Sequence, residues 1–338
     1  MDSPKMIPRL AGPDVWDGKD MQHDNGWLVP LNSTELTELD LNVKSLTRYY
    51  DDPTSITREH LDLPALSNRF KTIQREIEGG RGFQVLRGLP VTSYSLEQNK
   101  ALFWILSLLL GDPQTQDKAG NLMHSVTNTG KSVYQDSSTR GYETDSELTF
   151  HNDGGDVFML LCLKTAASGG VSKLVSVANL FNRIVERNTE LADVLCQPFC
   201  FDSRNQNVNE QRLQVVPIMN FHDGKMSALY KRQYIETAQR FPETPRLTTE
   251  QIQALDLLDE ICNDKDVQLS FSMQPGDVQI GNNYSILHSR TKYQDHADPE
   301  QKRYLLRTWL TLPNGRPLPR AFEGTREFGQ SYAARMRT

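Results

Sequence analysis

The triplet His151-Asn152-Asp153 constrains this chain more than any other stretch. On an extended strand residues i and i+2 point to the same side, so His151 and Asp153 face one way and Asn152 the other. An imidazole and a carboxylate presented together need a barrel or sheet interior to point into. Two imidazoles and one carboxylate on a single face, with other positions open, form the donor set of non-haem ferrous iron. The second imidazole must therefore come from a distant strand. His288 meets this need, because it ends the apolar run Tyr284-Ser-Ile-Leu-His288, which reads as a buried strand. His296 competes for the role, but Asp295-His-Ala-Asp-Pro299 reads as a polar turn. His23 and His60 lie in polar N-terminal segments and read as solvated. A lone triplet of this kind is weak, since a buried histidine is more often a core residue than a ligand.

A second constraint lies downstream. Arg303 and Arg307 are four apart, so on a strand they share a face with Leu305. The apolar neighbours Tyr304-Leu-Leu306 and Trp309-Leu310 make this a buried strand rather than an exposed edge. Arginine is seldom buried without an anion, and its planar fork suits a carboxylate.

The chain has 338 residues, 37% of them hydrophobic, enough for one large core. Net charge is −6 and no Lys/Arg run exceeds two residues, which argues against nucleic acid as the partner. Cys162, Cys196, Cys200 and Cys262 show no C-x-x-C spacing and read as reduced thiols. Met1-Asp-Ser-Pro-Lys5 leads into polar sequence with no apolar stretch of signal or membrane-spanning type. The expectation is a cytoplasmic protein with a small-molecule partner, no nucleic acid and no membrane; homo-oligomerisation is left open.

Residues 1–60 read as an irregular wrapping arm of the same domain, and 61–338 as its body. A helix is expected from Pro64 to Glu78, stopped by Gly79-Gly80. Ser95 and Gln98 form a capping-box signature for a helix through Leu110. Residues 114–145 read as a long loop beside the site. Strands follow at 148–153, 157–163 and 173–177, then a helical insert over 179–195. A helix over 248–262 carries Ile252, Leu255, Leu258 and Ile261 on one stripe. Strands return at 267–272, 277–280, 285–289 and 303–312. This order predicts an α+β protein with an antiparallel core. Periodicity does not separate a jelly roll from a sandwich.

The segments around these residues carry a resemblance. Gly141-Tyr-Glu-Thr-Asp-Ser-Glu-Leu-Thr-Phe-His-Asn-Asp153, Ser168-Gly-Gly-Val-Ser172, Pro275-Gly-Asp277, Asn282-Asn-Tyr-Ser-Ile-Leu-His-Ser-Arg-Thr291, Arg303-Tyr-Leu-Leu-Arg307 and Gly315-Arg-Pro-Leu-Pro319 resemble the TauD/TfdA (taurine dioxygenase-like) family. The likeness is dense from about 140 to 320 and thins towards Gly82-Phe-Gln-Val-Leu-Arg-Gly88. It implies a double-stranded β-helix, or jelly-roll, core with flanking helices and a helical insert. It also implies Fe(II), 2-oxoglutarate as cosubstrate and O2, with His151, Asp153 and His288 as metal ligands. Arg303 would hold 2-oxoglutarate, and Ser172 sits where a family threonine assists it. Arg307 contacts either substrate or 2-oxoglutarate in relatives. His124 lies close to where relatives place a substrate-contacting histidine, although a loop histidine without function reads equally well. Tyr142, Thr144 and Glu147 precede the triplet and would line the mouth, while Asn282 and Asn283 would orient a ligand or loop.

The implied function is a dioxygenase that oxidises an unactivated C–H bond of a small anionic or amino-acid-like substrate, releasing succinate and CO2. Hydroxylation, desaturation and cyclisation all stay open. Alternatives are a metal-dependent hydrolase or isomerase on a jelly-roll scaffold, or a non-catalytic binding relative. The paired arginines argue against the first and the intact His151, Asp153, His288 and Arg303 set against the second.

Overall fold

Two sheets face one another across the site. The computed structural model describes residues 8–130, 143–204 and 212–337. The larger sheet runs Leu28–Pro30, Phe83–Arg87, Val278–Asn282, Val157–Lys164, Tyr304–Thr311 and Asp112–Pro113, with Met123–Val126 also paired to Tyr304–Thr311. All its pairs are antiparallel except the first. The smaller sheet runs Leu269–Phe271, Ser172–Ser176, Ile286–Arg290 and Leu148–His151, antiparallel throughout.

Helices Ser33–Ser45, Pro64–Gly79 and Leu96–Leu110 cover the larger sheet. Their apolar stripes, including Leu39, Val43, Leu66, Phe70, Ile73 and Phe103, join Met159, Leu161, Ile280 and Leu310 in one core. A second core joins Phe150, Val175 and Leu287 of the smaller sheet to helices Val177–Arg187, Thr189–Leu195 and Thr249–Cys262. With their outer faces so covered, the sheets turn polar side chains of both inward around one cavity.

Several elements depart from the expectations. The stretch read as an irregular arm holds an edge strand, Leu28–Pro30, and the helix Ser33–Ser45. Asn32, which heads an Asn-Ser-Thr sequon, caps that helix reciprocally with Glu35. Residues 114–145 are not all loop, since Met123–Val126 pairs with the arginine strand. The helical insert is two helices, because the side chain of Asn188 caps the second. Ile252 is exposed on its helix, whereas Leu255, Leu258 and Ile261 are buried. The cap at Ser95 and Gln98 forms as expected. All four cysteines are free, and burial pushes the Cys162 thiol up to about 12. Among the described residues no helix is long and apolar enough to cross a membrane.

Candidate active site

Strand pairing assembles the metal ligands. His288 lies directly opposite His151 in the antiparallel ladder, with ring centroids 4.3 Å apart. Asp153 follows two residues beyond His151, and its Oδ2 stands 3.8 Å from His288 Nε2. One potential ligand atom from each of the three lies within 4.8 Å of the others, and no other such group occurs among the described residues. Nδ1 of His151 donates to the Thr149 carbonyl at 2.8 Å, leaving Nε2 free to accept. Burial lowers the pKa of His151 and lowers that of His288 well below its ordinary value. Burial alone would raise Asp153, but Arg307, the two imidazoles and Lys231 outweigh it and hold the carboxyl below the usual range. Neutral imidazoles and an ionised carboxylate are the forms a divalent metal needs.

Two asparagines hold the loop that carries Asp153. Asn152, facing away from the metal as the strand alternation requires, accepts from Tyr230 N at 2.7 Å and donates to the Asn283 and Ile286 carbonyls. Asn283 donates to the carbonyls of Gly154 and Gly155 at 2.7 and 3.1 Å, and its Oδ1 accepts from Asp153 N at 3.2 Å. Its side chain is fully buried and spent on the backbone, so it clamps the metal loop and does not face a substrate. Asn282 is likewise buried, capping the turn at Tyr284 and Ser285. Gly154 is required because a Cβ there would come within 2.6 Å of the Trp309 ring.

The arginine strand separates its two cations. Arg307 Nη1 donates to both oxygens of Asp153 at 3.1 and 3.2 Å, and Nε donates to Gln116 Oε1 at 2.9 Å. His124 sits opposite Arg307 in the ladder, with Nε2 3.0 Å from Asp117 Oδ2. Burial and then the Arg307 charge lower its pKa. Arg303 lies further from the triad in the same cavity, with Ser172 on the facing sheet. It is 7% exposed, and its Nη1 has no hydrogen-bond partner. Glu147 is exposed and does not line this cavity, Thr144 is buried, and Tyr142 lies outside the described residues.

Three features escaped the sequence reading. Arg290 lines the cavity beside Arg303; burial, then the charge of Arg303, pushes its pKa down to about 10. Gln116 steers Arg307. Lys231, bridged to the His151 backbone, forms a buried ion pair with Glu327 at 2.7 Å. A surface cleft of about 800 Å³ near Arg75, His222 and Arg316 contains none of the triad, and no metal-ligating group of the described residues gathers there. The chemistry resides in the smaller cavity between the sheets.

Comparison with known proteins agrees with this geometry. The sequence profile of the Taurine catabolism dioxygenase TauD, TfdA family matches residues 42–309. FR-33289 synthase of Streptomyces rubellomurinus is 26% identical over 96% of this chain and 97% of its own length. The taurine hydroxylase-like protein SAT17 of Stachybotrys chartarum is 27% identical over 90% of this chain and 80% of its own. In fold, asparagine oxygenase bound to Fe(II), 3-hydroxyasparagine and succinate superposes with a TM-score of 0.64 at 19% identity, covering 84% of this chain and 93% of that one. The non-haem iron oxygenase OrfP with Fe and α-ketoglutaric acid gives 0.61 at 16% identity, over 84% and 94% of the two chains. The chain thus belongs to the TauD/TfdA family and is an iron(II)- and 2-oxoglutarate-dependent dioxygenase.

Proposed function

We propose that this dioxygenase oxidises an unactivated C–H bond of a small anionic or amino-acid-like substrate, on a double-stranded β-helix core. The observation that carries the substrate class is the placement of Arg307. It stands on the same strand face as Arg303 but against the metal carboxylate, where a substrate anion would meet it. Lys231 and Arg326 add positive charge on that side, alongside the carboxylates of Glu327 and, next to His124, Asp117. The folds of an asparagine oxygenase and of OrfP, solved with hydroxylated asparagine and arginine, support an amino-acid-like partner. Two sheets, antiparallel but for one edge pair, closing on one cavity support the β-helix.

His151, Asp153 and His288 would hold the iron, which with 2-oxoglutarate and O2 supplies the oxidant for hydrogen-atom removal. The protein fixes the His151 tautomer through Thr149, keeps Asp153 ionised and positions cosubstrate and substrate. Arg303 and Ser172 hold the cosubstrate; Arg307, with His124 opposite, orients the substrate. We infer a cytoplasmic setting and one domain including residues 8–60, as the packing of Trp16 and Trp27 against Phe83 supports. The test is a succinate-release screen with Fe(II) and 2-oxoglutarate against amino acids, sulfonates, aryloxy acids and neutral apolar compounds. Stimulation by an anionic or zwitterionic compound is expected; stimulation confined to the neutral set overturns the substrate class.

A further inference from the structure

Arg290 ends the strand Ile286–Arg290, two residues beyond His288 and therefore on the same face. It is 6% exposed, deep for a guanidinium. Part of its capacity is structural: Nη2 donates to the Thr144 carbonyl at 3.1 Å and also to that of Ser146. Its Nε and Nη1 are buried with no hydrogen-bond partner. Arg303 Nη1 is in the same state, and both guanidiniums lie over one ring, Tyr293, at 4.6 and 5.0 Å. The two acids whose charges reach Arg290, Asp145 and Asp295, make no hydrogen bond to its Nε or Nη1. Asp295 spends Oδ1 on the Arg303 backbone and leaves Oδ2 without a partner.

A carbonyl clamp alone does not explain this arrangement. It would use Nη2 and leave no reason for Arg290 to crowd a second buried cation. Two adjacent buried guanidiniums are costly unless an anion lies between them, and a carboxylate offers four lone-pair positions to such a pair. Ser172, directly across the ladder from Arg290, brings a hydroxyl to the same cavity wall. We propose that Arg290 is a second cation for the distal carboxylate of 2-oxoglutarate, which is held between Arg290 and Arg303. Its remaining nitrogen ties that carboxylate site to residues 144–146, immediately before the metal strand Leu148–His151. Cosubstrate binding thereby steadies the approach to the first metal ligand.

This inference rests on the dioxygenase reading above, and keto-acid binding separates the two. Fe(II)-loaded protein is titrated anaerobically with 2-oxoglutarate and with 2-oxobutanoate, which has the same chelating end and no distal carboxylate. Arg290→Gln keeps a donor for the 144–146 carbonyls but removes the charge. It should weaken 2-oxoglutarate about 10- to 100-fold, as expected for a charged hydrogen bond, and leave 2-oxobutanoate within about twofold. Arg290→Lys, which keeps the charge, should recover most of the preference for 2-oxoglutarate and guards against misfolding of the neutral variant. Equal weakening of both acids in Arg290→Gln, or no change in either, overturns the role of Arg290 alone. If the unaltered protein does not prefer 2-oxoglutarate to 2-oxobutanoate, the assignment of the whole pocket fails with it.

Discussion

Arg303 and Arg307 are the same residue type on one strand face, yet their surroundings give them different work. Arg307 already meets Asp153 and Gln116, whereas Arg303 keeps a buried nitrogen without a partner beside Ser172. Removing a buried cation from the carboxylate it neutralises costs on the order of 3–5 kcal/mol. Arg303→Ala should therefore raise the apparent KM for 2-oxoglutarate more than about 100-fold, with a much smaller change for the prime substrate. Ser172→Ala removes one hydrogen bond, about 1 kcal/mol, and should cost roughly fivefold. Steady-state kinetics with each reactant varied in turn checks both. An unchanged KM for 2-oxoglutarate in Arg303→Ala would move the anchor elsewhere in the cavity.

At the scale of elements, the metal loop stays in place because Asn283 links it to the strand carrying His288. The sequence expectation placed Asn283 towards a ligand or a loop; its hydrogen bonds go to Gly154, Gly155 and Asp153. Asn283→Ala leaves those backbone groups buried and unpaired, each at about 1–3 kcal/mol. Ferrous affinity should fall about 10- to 100-fold, as for other groups that orient a ligand from behind, while the ranking of substrates stays fixed. A variant with normal iron affinity and an altered ranking would restore the substrate role. What was legible at this scale follows from local chemistry. The cap at Ser95 and Gln98 and the strand phase of His151 and Asp153 depend on near neighbours and could be read directly. Asn32 and Glu35, with the same spacing, form the same cap. Arg290 was not legible, because alternation along Ile286–Arg290 gives its face but not that Arg303 and Tyr293 lie there. The Lys231–Glu327 pair likewise joins distant segments, and no local pattern announces it.

For the molecule as a whole, that pair ties the C-terminal segment to the site and sets part of the acid response. Burial would raise the Glu327 carboxyl, but Lys231 and Arg326, with hydrogen bonds from Lys231 and Gln214, hold it at about 2. A depressed carboxylate contributes stability that is present above its unfolded value of about 4.5 and is lost as pH falls towards 2. The contribution is on the order of 3 kcal/mol. Denaturant unfolding at pH 5 and pH 3 should show a loss about 2 kcal/mol larger in the native protein than in Glu327→Gln, since pH 3 is still above the folded value; equal losses would remove the pair from the acid response. We propose that selectivity lies at the other end of the cavity. Arg307 stands between the metal carboxylate and His124, and His124 belongs to the 114–147 stretch that leads directly to the metal strand. Substrate placement relative to the oxidant, not the oxidant itself, then fixes which bond reacts. Arg307→Ala should weaken coupled oxidation while sparing part of the uncoupled decarboxylation of 2-oxoglutarate, so the ratio of succinate to oxidised product rises. His124→Ala should shift the same ratio in the same direction, by less. Normal coupling in Arg307→Ala, or a loss of 2-oxoglutarate affinity as deep as that of Arg303→Ala, would make Arg307 a cosubstrate ligand and leave selection to the loop alone.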